Sequence, residues 1–293
     1  MVDSSSMADI RGISVEKVVK GFADEEILLK RFVTISPTNA REVRWFQKTA
    51  GFLDSPDTSG ITASQLSTDF KALPIINEAT FTRNTSYIRK FFFATQTITM
   101  EDINDTDVDI LAVNLRDLAR GVERQVEYHI YNVITESDTP SNIQTIAITN
   151  EWDDASSATI VDDILKAKEY IRNYNYDPEG AIFLMRPDVH RFMLSWLIAT
   201  KGSSIPQFAS QQIEKGVVME ILGVKVIVST ICTSDKAVIF VNKRACTYKQ
   251  FHDITTYVVD EPGIGKTIRA LEEGVALLTD PKAVVFFSNI GPS

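Results

Sequence analysis

Seven residues, Leu111, Leu115, Leu118, Val122, Val126, His129 and Val133, recur at steps of four, three, four, four, three and four. At about 100° per residue they keep to one stripe about 80° wide, the pattern of a single amphipathic helix. Arg116, Arg120, Glu123, Arg124 and Glu127 fall on the opposite face with interleaved signs, as a solvated helix face does. The spacing predicts one helix of roughly 25 to 29 residues, about 40 Å long at about 1.5 Å per residue. Ordinary helices average about 11–12 residues. A helix of this length crosses a whole domain, and the rest of the chain has to be arranged along it.

Composition bounds what that arrangement can do. The 293 residues include 30 Lys and Arg against 39 Asp and Glu, a formal charge of −9, with 44% apolar and 24% charged types. These are globular values and exclude a disordered chain. The net charge supplies no general affinity for nucleic acid. Cys232 and Cys246 form neither a disulfide framework nor a zinc ligand set, which points to a reducing compartment. The longest apolar runs, such as Ala181 to Met185, are five residues, far short of the about twenty that a membrane span needs. The opening MVDSSSMADI lacks the basic flank and apolar stretch of a secretory signal.

Read in order, Ser14 to Arg31 predicts a helix, with Ser14 as N-cap and Val15, Val18, Val19 and Phe22 on one face. Ser36 to Tyr87 shows no lasting period, yet it holds Trp45, Phe46, Phe52, Leu53, Phe70 and Phe81. So many large apolar groups need something to pack on, and a neighbouring subunit is the natural partner. Tyr87 to Met100 predicts a strand or a strand pair. The acidic block Glu101 to Asp109 reads as a helix N-terminus. Beyond Asn142 the order is strand, helix capped by Ser156 or Ser157, strand, helix opened by Pro187, then three strands, an α/β or α+β layer. Thr255 to Val259 and Thr267 to Leu278 flank a turn at Pro262, Gly263 and Gly265, and Ala283 to Phe287 is a last strand.

No catalytic, cofactor-binding or metal-binding set emerges. GIGKT at Gly263 to Thr267 lacks the first glycine of a phosphate loop, because position 260 is Asp. His129, His190 and His252 are scattered, and His129 on an apolar stripe reads as a packed neutral imidazole. Asp153 with Asp154, and Asp162 with Asp163, sit at helix starts, where the dipole accounts for them.

The order of elements resembles the tailed-phage major capsid proteins of the Hong Kong 97 type fold. The resemblance runs from about Ser14 to Ile290 and rests on element order more than on an invariant motif, with Ser36 to Tyr87 in the place of the family's extended loop and four further passages in order. These are YIRKFFFATQTITMEDIND with the long helix, NYDPEGAIFLMRPDVHRFMLSWL, ILGVKVIVSTICTSDKAVIFVNKRAC, and the closing ITTYVVDEPGIGKTIRALEEGVALLTDPKAVVFFSNI. It implies an α+β fold with an N-terminal arm (1–35), an extended loop (36–86), a peripheral domain with the spine helix (87–143), an axial domain (144–252) and peripheral return strands (253–293). It also implies a non-enzymatic virion protein, assembled in the host cytoplasm into the hexamers and pentamers of an icosahedral shell around double-stranded DNA. A separate scaffolding protein, a portal and a decoration protein are the further partners. An encapsulin-like nanocompartment shell and a soluble α+β enzyme are the alternative readings.

Within this resemblance Arg41, Arg44, Trp45, Phe46, Phe52, Leu53 and Phe70 are expected at an intersubunit contact. Residues 35–90 hold seven Lys and Arg against five Asp and Glu, 7 − 5 = +2, while Glu101 to Asp109 carries −5. The loop's bases are therefore expected to approach acids on the next subunit. An acidic wall would confine DNA rather than hold it.

Overall fold

The computed structural model describes residues 29–50, 80–105, 110–154, 156–198 and 220–291. Three sheets and five helices lie within these residues. The helix expected over Ser14 to Arg31 falls largely outside them; a short helix α1, Leu29–Phe32, is described at its end. Strand β1, Thr34–Pro37, follows directly. Two strands, β2 (Glu42–Ala50) and β3 (Thr80–Tyr87), pair antiparallel into a ribbon. The stretch read as irregular is thus bounded by regular structure.

β4 (Arg89–Ala94), β5 (Ile98–Thr99), helix α2 (Met100–Asp105) and helix α3 (Ile110–Ile134) come next. Glu101 and Asp102 of the acidic block stand in the first turn of α2, and residues 106–109 lie outside the described residues. α3 is the expected amphipathic helix, 25 residues long. Its burial is uneven along its length. Val122, Val126, Ile130 and Ile134 are fully buried, while Leu115 is 37% exposed and Leu118 and Val133 are partly buried. The side chain of Leu111 lies outside the described residues. Steps of four drift about 40° per step round a helix, so the buried line passes from Val122 to Ile134 and Val133 is left at its margin. Each fully buried aliphatic side chain contributes about 1.5–3 kcal/mol of transfer free energy.

The second half supplies β6 (Gln144–Ala147), helix α4 (Ile160–Asn173), β7 (Ile182–Met185) and helix α5 (Pro187–Trp196). Then come β8 (Glu220–Ile221), β9 (Val224–Val228), β10 (Ala237–Phe240), β11 (Cys246–Glu261), β12 (Gly265–Leu278) and β13 (Val284–Ser288). Ser156 and Ser157 do not cap α4. Both donate to Asp154, and Thr159 stands at the N-cap. The six-stranded sheet has the order β6-β13-β10-β7-β9-β8, and the five-stranded sheet, called the large sheet for its long strands β11 and β12, has the order β1-β11-β12-β4 with β5 on β12.

The topology links the stretches on either side of position 252. β13 pairs with β10 and β6 in the six-stranded sheet. β11 runs from Cys246 to Glu261 through that position. The reason is that β7, β10 and β13 are buried on both faces. Ile182, Leu184, Val238, Phe240, Val284 and Phe286 join α3 and the large sheet in one core. Their neighbours Phe183, Ile239, Val285 and Phe287 face α4 and α5 in a second core. Neither core closes without the strand at the chain's end.

The turn joining β11 to β12 has the chemistry its residues dictate. Ile264 N–H donates to the Glu261 carbonyl at 3.0 Å, with Pro262 and Gly263 as central residues. Gly263 has φ +77°, the left-handed value a type II turn requires there. Gly265 meets β5 so closely that a Cβ would sit 1.9 Å from the Ile98 carbonyl oxygen.

Two buried carboxylates hold α1 to this body. Glu127, expected on the solvated face of α3, is instead buried and accepts the Leu29 N–H at 2.6 Å. Glu272 on β12 is 0% exposed and accepts from Lys30 Nζ at 2.7 Å and from the Tyr248 hydroxyl at 3.0 Å. Removing one partner of a buried pair leaves a charge without compensation. Lys30→Met is therefore expected to cost about 3–5 kcal/mol, measured by urea unfolding at fixed protein concentration. Lys30→Met with Glu272→Gln recovers most of that loss; equal losses in the single and double variants would refute the coupling.

Candidate interaction surface

The ribbon is amphipathic in a way hydropathy alone does not reveal. Its register pairs Glu42 with Tyr87, Arg44 with Thr85 and Phe46 with Arg83, and opposed residues share a face. Val43, Trp45, Gln47, Asn84 and Ser86 are half-buried on the inner face. There Gln47 Nε2 donates to the Leu278 carbonyl at 2.7 Å, and Trp45 Nε1 donates to Ser86 Oγ at 3.1 Å. Arg44, Phe46, Arg83 and Tyr87 are exposed on the outer face, as is Phe81. Phe46 and Phe81 are each 61% exposed and Tyr87 is 67% exposed. Glu42 accepts from Arg44 Nε at 2.7 Å and raises the guanidinium pKa. Large exposed aromatics thus stand between arginines on this face, a composition that is common where proteins make contacts.

Of the residues expected at an intersubunit contact, Arg41 lies exposed at the ribbon root and Arg44 and Phe46 on its outer face. Trp45 belongs to the inner face. Phe52, Leu53 and Phe70 lie outside the described residues.

A second exposed apolar group has the opposite charge. At the tip of the β11–β12 hairpin Tyr257, Val258 and Ile264 are exposed, and Met100 at the start of α2 is exposed as well. Met100 N–H donates to the Ile264 carbonyl at 3.2 Å, which ties α2 to this tip. Asp260, Glu101 and Asp102 are exposed here too. The glycines once compared with a phosphate loop shape this tip, and Lys266 faces Asp260 across it at 3.4 Å.

A third feature is a cleft between α3 and β4, about 670 Å3 in volume. Phe91, Phe93 and Tyr128 give it aromatic walls, and Arg89, Lys90 and Arg124 supply charge. Arg124 Nη2 donates to Thr230 Oγ1 at 3.3 Å at one end. Along its lining His129 accepts the Ala276 N–H at 3.2 Å through Nε2 and packs against Phe91 with ring centroids 5.5 Å apart and the rings tilted by 43°. Burial, with a smaller contribution from Arg89, lowers the His129 pKa to about 4. Sequence reasoning placed His129 on a packing stripe and missed the cleft. The aromatic density of YIRKFFFATQ was its visible signal, but the facing residues come from a helix some thirty residues later.

Among the described residues no group of His, Cys, Asp and Glu is arranged to hold a metal ion, and no helix is long and apolar enough to cross a membrane. Cys232 and Cys246 are both buried and not joined in a disulfide, and burial raises the Cys246 pKa to about 12.

A family model described as phage capsid protein matches residues 85–285. The fold is similar to that of the capsid of Cyanophage P-SCSP1u, with TM-score 0.71, 11% identity, 96% of this chain and 93% of that chain covered. It is similar to a structure of Mycobacterium phage Che8, with TM-score 0.66, 16% identity and coverages of 98% and 100%. A virus-like particle from Pyrococcus furiosus aligns with TM-score 0.59, 14% identity and coverages of 89% and 92%. No curated protein matches the sequence.

The unfolded imidazole takes up a proton below about pH 6.5, whereas the folded one stays neutral until about pH 4. The unfolded state therefore binds more protons in this window, and stability falls as pH drops through it. His129→Gln is expected to remove about 3 kcal/mol of the stability loss between pH 6.5 and 4, read from urea unfolding at each pH. Identical pH profiles for the two proteins would refute a depressed His129 pKa.

Proposed function

The chain belongs to the phage capsid protein family, and from that premise we propose that the exposed ribbon face is the contact by which each copy engages its neighbour in hexamers and pentamers. The protein is a major capsid protein of the Hong Kong 97 type α+β fold, a structural subunit of an icosahedral virion shell. The observation that carries the contact is the outer face of β2 and β3. It presents Phe46, Phe81 and Tyr87 to solvent beside Arg44 and Arg83, where a lone chain gains nothing from them. The counterpart with matching chemistry is the hairpin tip, where Tyr257, Val258 and Ile264 stand among Asp260, Glu101 and Asp102. Apolar contact supplies the free energy, and the opposed charges select partner and register.

The shell's content in this reading is double-stranded DNA, and assembly takes place in the host cytoplasm with separate scaffolding, portal and decoration proteins. No enzymatic role is assigned. The net charge of −9 supports a wall that confines DNA without binding it tightly. Residues 1–35 act as an N-terminal arm, rooted through Leu29 and Lys30 on the buried carboxylates of α3 and β12. The segment between the ribbon strands extends the ribbon into a loop laid over the adjacent copy.

Electron microscopy of the purified protein tests this function, with uniform shells tens of nanometres wide as the expected result. A discrete monomer or dimer under many buffers would overturn it. Protected double-stranded DNA inside particles from producing cells is expected, and an enclosed protein cargo in its place would favour a nanocompartment. Arg41→Glu with Arg44→Glu is expected to cut shell yield several-fold at low salt, with the deficit shrinking as salt screens the contact. Shell yield unchanged across salt concentrations would remove the arginines from the interface.

A further inference from the structure

The cleft between α3 and β4 is not engaged by the ribbon face just described. Side chains alternate along a strand, so Arg89, Phe91 and Phe93 share the face of β4 on which Phe91 packs against His129 of α3. Phe91 is buried there, while Arg89 and Phe93 stay exposed. Opposite them Gly121, Arg124, Gln125, Tyr128 and Asn132 line the cleft from successive turns of α3, with Arg124 and Tyr128 exposed. Gly121 lets Phe93 lie against the helix, because a Cβ at that position would stand 3.1 Å from the ring.

Charge and hydrogen bonding narrow the ligand. No carboxylate lines the cleft, and Arg89, Lys90 and Arg124 make no ion pair among the described residues. His129 is 7% exposed and accepts the Ala276 N–H through Nε2, so its neutral ring carries the hydrogen on Nδ1. No described residue accepts that hydrogen. Gln125 and Asn132 add amides that both donate and accept. The volume of about 670 Å3 is that of a site enclosing a compact organic group.

We propose that the cleft between α3 and β4 binds single-stranded nucleic acid, with Phe93 and Tyr128 as stacking surfaces for its bases and Arg89 and Arg124 as phosphate contacts. A base stacks on an aromatic ring whatever its identity, and a basic groove tracks the backbone beside it. Gln125, Asn132 and the His129 Nδ1–H supply hydrogen bonds to base edges. A duplex keeps its bases paired and stacked, out of reach of the two rings. An acidic peptide without aromatic groups satisfies the cations alone. The site thus discriminates by pairing: enclosed duplex passes it by on an acidic wall, and a strand with unpaired bases is held. It goes beyond the shell reading and does not rest on it.

Calorimetric titration of the purified full chain tests the site, at concentrations where light scattering detects no shells. The probe is an unlabelled oligothymidylate of about eight nucleotides, within the span that one binding module covers. Saturable binding is expected, at least about ten-fold tighter than that of thymidine 5′-monophosphate, of a duplex of the same length or of an oligoglutamate of equal charge. Two phosphate contacts on a single strand contribute about 1.4 to the slope of log K against log salt. Arg89→Gln with Arg124→Gln is expected to flatten the slope by about that amount and to weaken binding at least about ten-fold. Phe93→Ala with Tyr128→Ala is expected to weaken binding at least about ten-fold with the slope unchanged, because stacking releases no counterion.

If circular dichroism shows the Phe93 variant unfolded, Tyr128→Ala alone decides, with an expected loss of at least about five-fold. Absence of saturable binding overturns the proposal, and so does unchanged affinity in the aromatic variants. Equally tight binding of the duplex, the oligoglutamate or the mononucleotide also overturns it. A chain that forms no shell under any condition fails the shell reading and leaves these titrations unaffected.

Discussion

The constraint on which the rest of the structure depends is that three short strands are buried on both faces. Ile182–Met185, Ala237–Phe240 and Val284–Ser288 expose almost nothing. A sheet with two apolar faces has to be covered twice. α4 and α5 cover one side, where Trp152, Phe183 and Phe287 meet at ring separations of 5.7 to 6.1 Å. α3 and the large sheet cover the other. The spine helix is thus held by the sheet it crosses, and the two layers share strands and form one body.

That sharing explains which parts of the fold were legible in the sequence. Hydrophobic period identified α3, α4 and α5 nearly to their ends, and short apolar runs identified β7, β9, β10 and β13. Period says nothing about which sheet a strand joins. Ala283 to Phe287 reads as a strand in any arrangement, and the apolar faces of β10 and β6 decide its place. The same limit applied to Glu127. By its angle on the helix it belongs with the solvated charges, yet the Leu29 N–H needs an acceptor where α1 packs on α3. A partner nearly a hundred residues away leaves no local trace.

The interaction surfaces were legible in composition and illegible in geometry. Exposed Phe46, Phe81 and Tyr87 broke the alternation by which strands are recognised, because both faces of the ribbon carry large side chains. The inner face packs on its own body, and the outer face is left for something else. A chain whose polar and apolar residues sorted cleanly in this stretch would have been read as a hairpin at once. Failure of the pattern was itself the signal of a surface that stays uncovered in one copy.

Charge completes the argument. Seen whole, the chain is acidic, which disfavours both nucleic-acid binding and close packing of many copies. Seen by segment, bases predominate on the ribbon and around the α3–β4 cleft, and acids predominate at the hairpin tip. Like charges on neighbouring copies repel in every arrangement except one that brings unlike segments together. A shell that must assemble into one lattice gains more from that discrimination than from added buried area. The net charge of −9 is therefore the residue of an uneven distribution, and in the proposed contact that unevenness selects how copies meet.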